Sequence, residues 1–169
     1  MRPPPLPAEI LRRVLRVAKF DGVSVLVIAG ACALISASSR DVTDALVGLA
    51  VAGAGAIELH GAQMIRQGDE RGMRWLVGSQ LQILACMLAY AAYRLLSPDI
   101  ASLHKMVPAE VADQIQQAGM TVDEFLLEML RLVYLGVAAA SLLYQGGMTV
   151  YYLRRRAVVA AALKADEAI

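Results

Sequence analysis

The sequence predicts an all-α fold: an integral membrane four-helix bundle with four transmembrane helices, an N-terminal amphipathic interfacial helix and a short helical extracytoplasmic loop. Three observations predict it. Of the 169 residues, 58% are hydrophobic and only 18% are charged, below the roughly 25% usual in soluble domains. Aromatic residues are 5%, so the apolar content is Ala, Leu, Val and Gly, the small and aliphatic set favoured in packed membrane helices. Four stretches reach the ~20 mostly apolar residues that cross a hydrocarbon core.

Residues 1–19 precede the first span. Arg2 to Pro7 reads RPPPLP and is expected to be extended, because proline lacks the amide donor a helix needs. From Ala8, the residues Ile10, Leu11, Val14, Leu15 and Ala18 form one face, and Arg12, Arg13, Arg16 and Lys19 enrich the remainder. That pattern suits a helix lying on an anionic leaflet, so these four cations are expected to contact the membrane surface and its anionic lipids.

Residues 20–96 hold three spans: Phe20 to Ser39, Val42 to about Ile65, and Met73 to Leu96. The small residues Ser36 to Ser39 raise the question of a cleaved signal peptide. The long patterned region before Phe20 favours a retained span. Along the second span Ala45, Gly48, Ala52 and Gly55 line one side, where small residues let a neighbouring backbone approach. Gly48, Ala52 and Gly55 are therefore expected to be helix-packing positions.

Residues 97–121 form an acidic loop. Ser97-Pro98-Asp99 reads as a helix start with proline at the first position, and Pro108 as another, ended by Gly119. Thr121 to Glu124 reads TVDE, a capping box, so the fourth long helix, 122–153, begins near Val122. At ~1.5 Å per residue it is about 48 Å long, more than the ~30 Å hydrocarbon thickness. Its first two turns, with Glu128 and Arg131, are expected at or beyond the interface. Residues 154–169 form a basic, then acidic, tail.

Basic residues set the orientation. Twelve of the 16 Lys and Arg fall before span one, between spans two and three, or after span four, and those regions share one side. The positive-inside rule makes that side cytoplasmic. The expectation is a multi-pass protein of the cell (cytoplasmic) membrane with both termini in the cytoplasm.

Several functions find no footprint. A net charge of +1 gives no basic surface for nucleic acid. Cys32 and Cys86 lie in separate apolar runs without metal-like spacing and read as small buried hydrophobes. No zinc-protease, phosphate-loop or nucleophile-elbow motif occurs. Glu58 and His60 point about 200° apart around a helix, so they cannot grip one metal together. No cofactor is expected.

What remains is polarity inside the spans. Ser79, Gln82, Cys86, Tyr90 and Tyr93 recur at helical intervals in span three, as do Tyr134, Ser141, Gln145, Met148 and Tyr152 in span four. Depth counted from the flanking charges groups Glu58, His60, Gln63, Gln80, Gln82, Tyr144 and Gln145 in the inner third of the membrane. Intramembrane acids mark functional sites by default. A weak internal echo, A-C-x-L-x-x-A at Ala31 and again at Ala85, would fit a parallel duplication.

Two readings compete. One is an oligomeric channel or transporter subunit that binds a cation or proton at the cluster around Glu58. The other is a non-catalytic scaffold or accessory subunit, using the basic N-terminal helix and the acidic loop as contact surfaces for a membrane-protein partner. A membrane enzyme ranks third.

Overall fold

A computed structural model describes residues 6–166. Of these, 88% are helical and none forms a strand, so the fold is all-α. The helices are α1 (Pro7–Ser38), α2 (Val42–Arg66), α3 (Gly72–Leu96), α4 (Ile100–His104), α5 (Ala109–Gln117) and α6 (Val122–Asp166). Four of them, α1, α2, α3 and α6, are long and apolar enough to cross a membrane.

Local chemistry fixes the ends. Asp41 caps α2 by accepting from the Asp44 amide at 3.0 Å. Asp99 rather than Ser97 caps α4, and the Ser102 side chain and amide hold the Asp99 carboxyl below its ordinary range. Thr121 and Glu124 exchange reciprocal bonds at the start of α6, the expected capping box. Helices α1, α2 and α5 all end in Schellman turns, in which the amides after the cap fold back onto the last carbonyls. Their left-handed residues are Arg40 (φ 60°), Gly68 (φ 89°) and Gly119 (φ 81°).

Two boundaries differ from those expected. The amphipathic stretch and the first span are one continuous helix starting at Pro7, where proline is harmless because first-turn amides have no intrahelical partner. Of the expected extended tip, residues 1–5 lie outside the described residues. At the other end α6 does not stop at Leu153 but continues to Asp166.

These extensions have one cause. The face of α1 expected to dip into lipid packs on protein instead: Ile10, Val14 and Ala18 are buried in one cluster with Val159 and Leu163 of the α6 extension and Ile65 of α2. Each terminal segment supplies the apolar partner the other needs. Arg12, Arg13, Arg16 and Lys19 remain exposed.

The chain divides into two compact units, one of residues up to Cys86 with those from Leu142 onward, the other Met87–Ser141. In the first unit α1 and α2 meet through small residues. A Cβ on Gly48 would stand 2.9 Å from the Ala33 methyl, and one on Gly55 2.8 Å from the Leu26 nitrogen. Ala52 is buried between them. Gly72 sits against the Gly61 carbonyl, joining α2 to α3.

In the second unit Arg94 donates to the Tyr134 hydroxyl at 3.0 Å and lies over the Tyr90 ring. His104 Nδ1 and Asp123 Oδ1 are 2.7 Å apart. Arg131 donates to Glu128 at 2.7 Å on an exposed surface.

Apolar side chains also cover the outside. Phe20, Leu34, Leu132 and Leu143 are each more than two-thirds exposed, and only 6% of the most apolar stretch of α6 is buried. Large exposed apolar surfaces mark contact with a membrane or another protein. Cys32 is exposed rather than buried, and Cys86 is half-buried.

Candidate functional site

The buried polar centre of the first unit draws one or two side chains from each of its four long helices. Asp21 comes from α1, Glu58 from α2, Gln80 from α3, and Tyr144 and Tyr152 from α6. Helical spacing puts them inside. Asp21 continues the buried line Val14–Ala18 in steps of four and three. Glu58 follows Ala54 and precedes Ala62 at intervals of four, and Gln80 follows Leu76 by four.

Their hydrogen bonds form one chain. The Tyr144 hydroxyl donates to Asp21 Oδ1 at 2.7 Å. The Gln80 amide nitrogen donates to Asp21 Oδ2 at 2.7 Å and to Glu58 Oε2 at 3.0 Å. The Tyr152 hydroxyl donates to Glu58 Oε1 at 2.6 Å. Every carboxylate oxygen therefore accepts one bond, and the four bonds come from three neutral groups.

The chain has a sealed end and an open one. Glu58, Gln80 and Tyr152 are each 0% exposed and Asp21 5%, whereas Tyr144 is 52% exposed. Of the five side chains, Tyr144 alone reaches the exterior. The Gln80 oxygen is buried without a partner among the described residues. This leaves an acceptor unsatisfied beside two acids.

Chemically the centre offers carboxylate, phenol and amide oxygens and no nitrogen or sulfur ligand. Such a set suits a proton or a hard cation. Among the described residues no group of three or more His, Cys, Asp and Glu could hold a metal ion, and no ion pair links Asp21 or Glu58 to a basic side chain. Two unit charges on the order of 5 Å apart repel by about 3 kcal/mol at an effective dielectric of ~20. A bound proton or cation would relieve that repulsion.

Of the residues the sequence grouped by depth, Glu58, Gln80 and Tyr144 come together here. The other four do not join. His60 is exposed and meets the Trp75 ring edge-on at 5.6 Å. Gln63 is exposed beside Arg66 in a surface groove. Gln82 donates to the Ala50 carbonyl at 3.2 Å and thereby ties α3 to α2. Gln145 is half-buried, its side-chain oxygen unpartnered among the described residues. Tyr152 stood in the span-four stripe but outside the depth group, and Asp21 was not singled out at all. Its signal was available: a lone acid two residues after Lys19, in register with Val14 and Ala18.

The fold and the site together define a class, an all-α protein with four membrane-length helices around a buried, neutral-capped pair of carboxylates. Comparison with family models, with curated proteins and with solved structures finds no match.

Proposed function

We propose that the chain is a multi-pass protein of the cytoplasmic membrane that binds a proton or hard cation at the Asp21–Glu58 pair and passes it across as a small channel or transporter subunit. The observation that carries this reading is the bridge itself. Two acids share one amide nitrogen with no cation beside them among the described residues, and an unsatisfied oxygen lies next to them. Two buried acids with no basic group between them need a proton or a cation to offset their repulsion. The open Tyr144 end gives a route in. The membrane reading, with both termini cytoplasmic, rests on four long apolar helices, an apolar exterior and the basic-residue asymmetry. Oligomerisation through the exposed apolar faces and contact of the N-terminal cations with anionic lipid belong to the same proposal.

Reconstitution into proteoliposomes tests it. A proton, sodium or potassium gradient should dissipate faster with the protein than without it, and Glu58→Gln should slow that dissipation at least tenfold. Absence of flux for all three ions, or equal flux in the variant, overturns the reading. Recovery of a stoichiometric membrane partner together with absent flux would support the scaffold alternative.

A further inference from the structure

The seam between α1 and α2 carries a groove whose chemistry changes along its length. At the end nearer the chain termini, Arg12, Arg16 and Lys19 of α1 face Gln63 and Arg66 of α2 around a cavity of about 470 Å³. No carboxylate lines it, and none of the four cations has an ion-pair partner among the described residues. Further along, a second cavity of about 630 Å³ is lined by apolar side chains such as Leu26, Leu34, Leu46 and Leu49, with one charge, Arg40, at its far end.

Both cavities lie on the same flank of the helix pair. On α1 the lining residues Arg12, Lys19, Leu26 and Ala33 recur every seven positions, and on α2 Ala45, Ala52, Leu59 and Arg66 do the same. Seven residues are close to two full turns, with a drift of only ~20°. The cationic cavity and the apolar trough therefore follow one another along the same flank of the α1–α2 pair.

We infer that this flank binds one anionic phospholipid, with its phosphate among Arg12, Arg16 and Arg66 and an acyl chain reaching Leu26 and Gly30 at the near end of the trough. Guanidinium groups suit phosphate because their paired donors match its oxygens. The Gln63 amide adds a neutral donor. The apolar trough offers nothing to a soluble phosphate compound and a matching surface to a hydrocarbon chain. The inference rests on the membrane reading but not on the carboxylate site, so Glu58→Gln should leave it intact.

The test is native mass spectrometry of the full-length protein in dodecyl maltoside. The probes are dioleoyl phosphatidylglycerol, dioleoyl phosphatidylcholine and glycerol 3-phosphate. Phosphatidylglycerol should bind one-to-one and at least tenfold more tightly than phosphatidylcholine. Combined Arg16→Gln and Arg66→Gln, both at exposed positions, should weaken it at least tenfold, whereas Arg13→Gln, outside the groove, should not. Gly30 lines the trough with open space beside it, so Gly30→Leu should also weaken lipid binding. Equal binding of the two lipids, or an equal loss in Arg13→Gln, overturns the inference. Competition by glycerol 3-phosphate at the lipid's own concentration also overturns it, in favour of a soluble phosphate ligand.

Discussion

Asp21 and Glu58 are held by a single nitrogen: the Gln80 amide donates to one at 2.7 Å and to the other at 3.0 Å. Neither acid can change its charge without altering the environment of the other. Residues within one hydrogen-bond network show interaction energies of about 0.5–3 kcal/mol in double-mutant cycles. Asp21→Asn combined with Glu58→Gln should therefore depart from additivity by that amount when unfolding is followed in detergent. Strict additivity would mean that the bridge is energetically idle.

The two tyrosines should behave differently despite similar bonds. Tyr152 is sealed, so Tyr152→Phe leaves Glu58 Oε1 buried without its donor, a loss of about 1–3 kcal/mol. Tyr144 is 52% exposed and its partner Asp21 stands two residues after Lys19, at the edge of its span, where interfacial water can replace the lost hydroxyl. Tyr144→Phe should destabilise by less than ~1 kcal/mol while changing the rate of any ion flux. Thermal unfolding of both variants, read beside flux, separates the sealed end from the open one.

Small residues in α2 and α3 make a paired prediction. A methyl on Gly55 meets backbone atoms, Leu26 N at 2.8 Å and Gly22 O at 2.9 Å, and backbone cannot step aside. Gly55→Ala should destabilise by about 1–3 kcal/mol, the usual range for overpacking. Gly78 has open space at its Cβ position. Gly78→Ala should be neutral or stabilising by up to ~1 kcal/mol, since alanine is the better helix former.

Arg40 is the exception among three equivalent turns. It holds φ 60° where the turns after α2 and α5 use Gly68 and Gly119. The left-handed conformation strains a residue with a Cβ by roughly 1–2 kcal/mol. Arg40→Gly should raise stability by about 1 kcal/mol, and Gly68→Ala should lower it by a similar amount. Melting temperatures of the two variants should move in opposite directions.

Much of the architecture was legible because membrane-length apolar runs and caps are local signals. The TVDE capping box, Pro108 and Gly119 could each be read from a few neighbouring residues. Glu58, Gln80 and Tyr144 could be grouped because depth follows from counting turns away from charged ends. Asp21 was lost because it stands at the edge of its span beside Lys19, where an acid resembles an interfacial charge. Its burial depends on α6 and α3 covering it, a tertiary fact that α1 alone does not carry. The α6 extension was missed for a related reason. Arg154, Arg155 and Arg156 read as the end of an apolar span, but helix continues wherever an apolar partner is available, and Ile10 and Val14 provide one. His60 and Gln63 share the depth of Glu58 but face outward, because depth specifies height along a helix and leaves rotation to packing.

A proton or hard cation held at the Asp21–Glu58 centre must stabilise the folded protein, so stability linkage reads its occupancy directly. A ligand that binds only the folded state stabilises it by about 2.7 kcal/mol at 100 times its dissociation constant. Thermal unfolding of the purified protein should be titrated with protons, sodium, potassium and magnesium, in parallel with an Asp21→Asn, Glu58→Gln double variant. At least one of these ligands should raise the melting temperature of the wild type along a saturating curve that the double variant lacks. Superimposable curves for the two proteins across all four ligands would mean that the centre binds none of them.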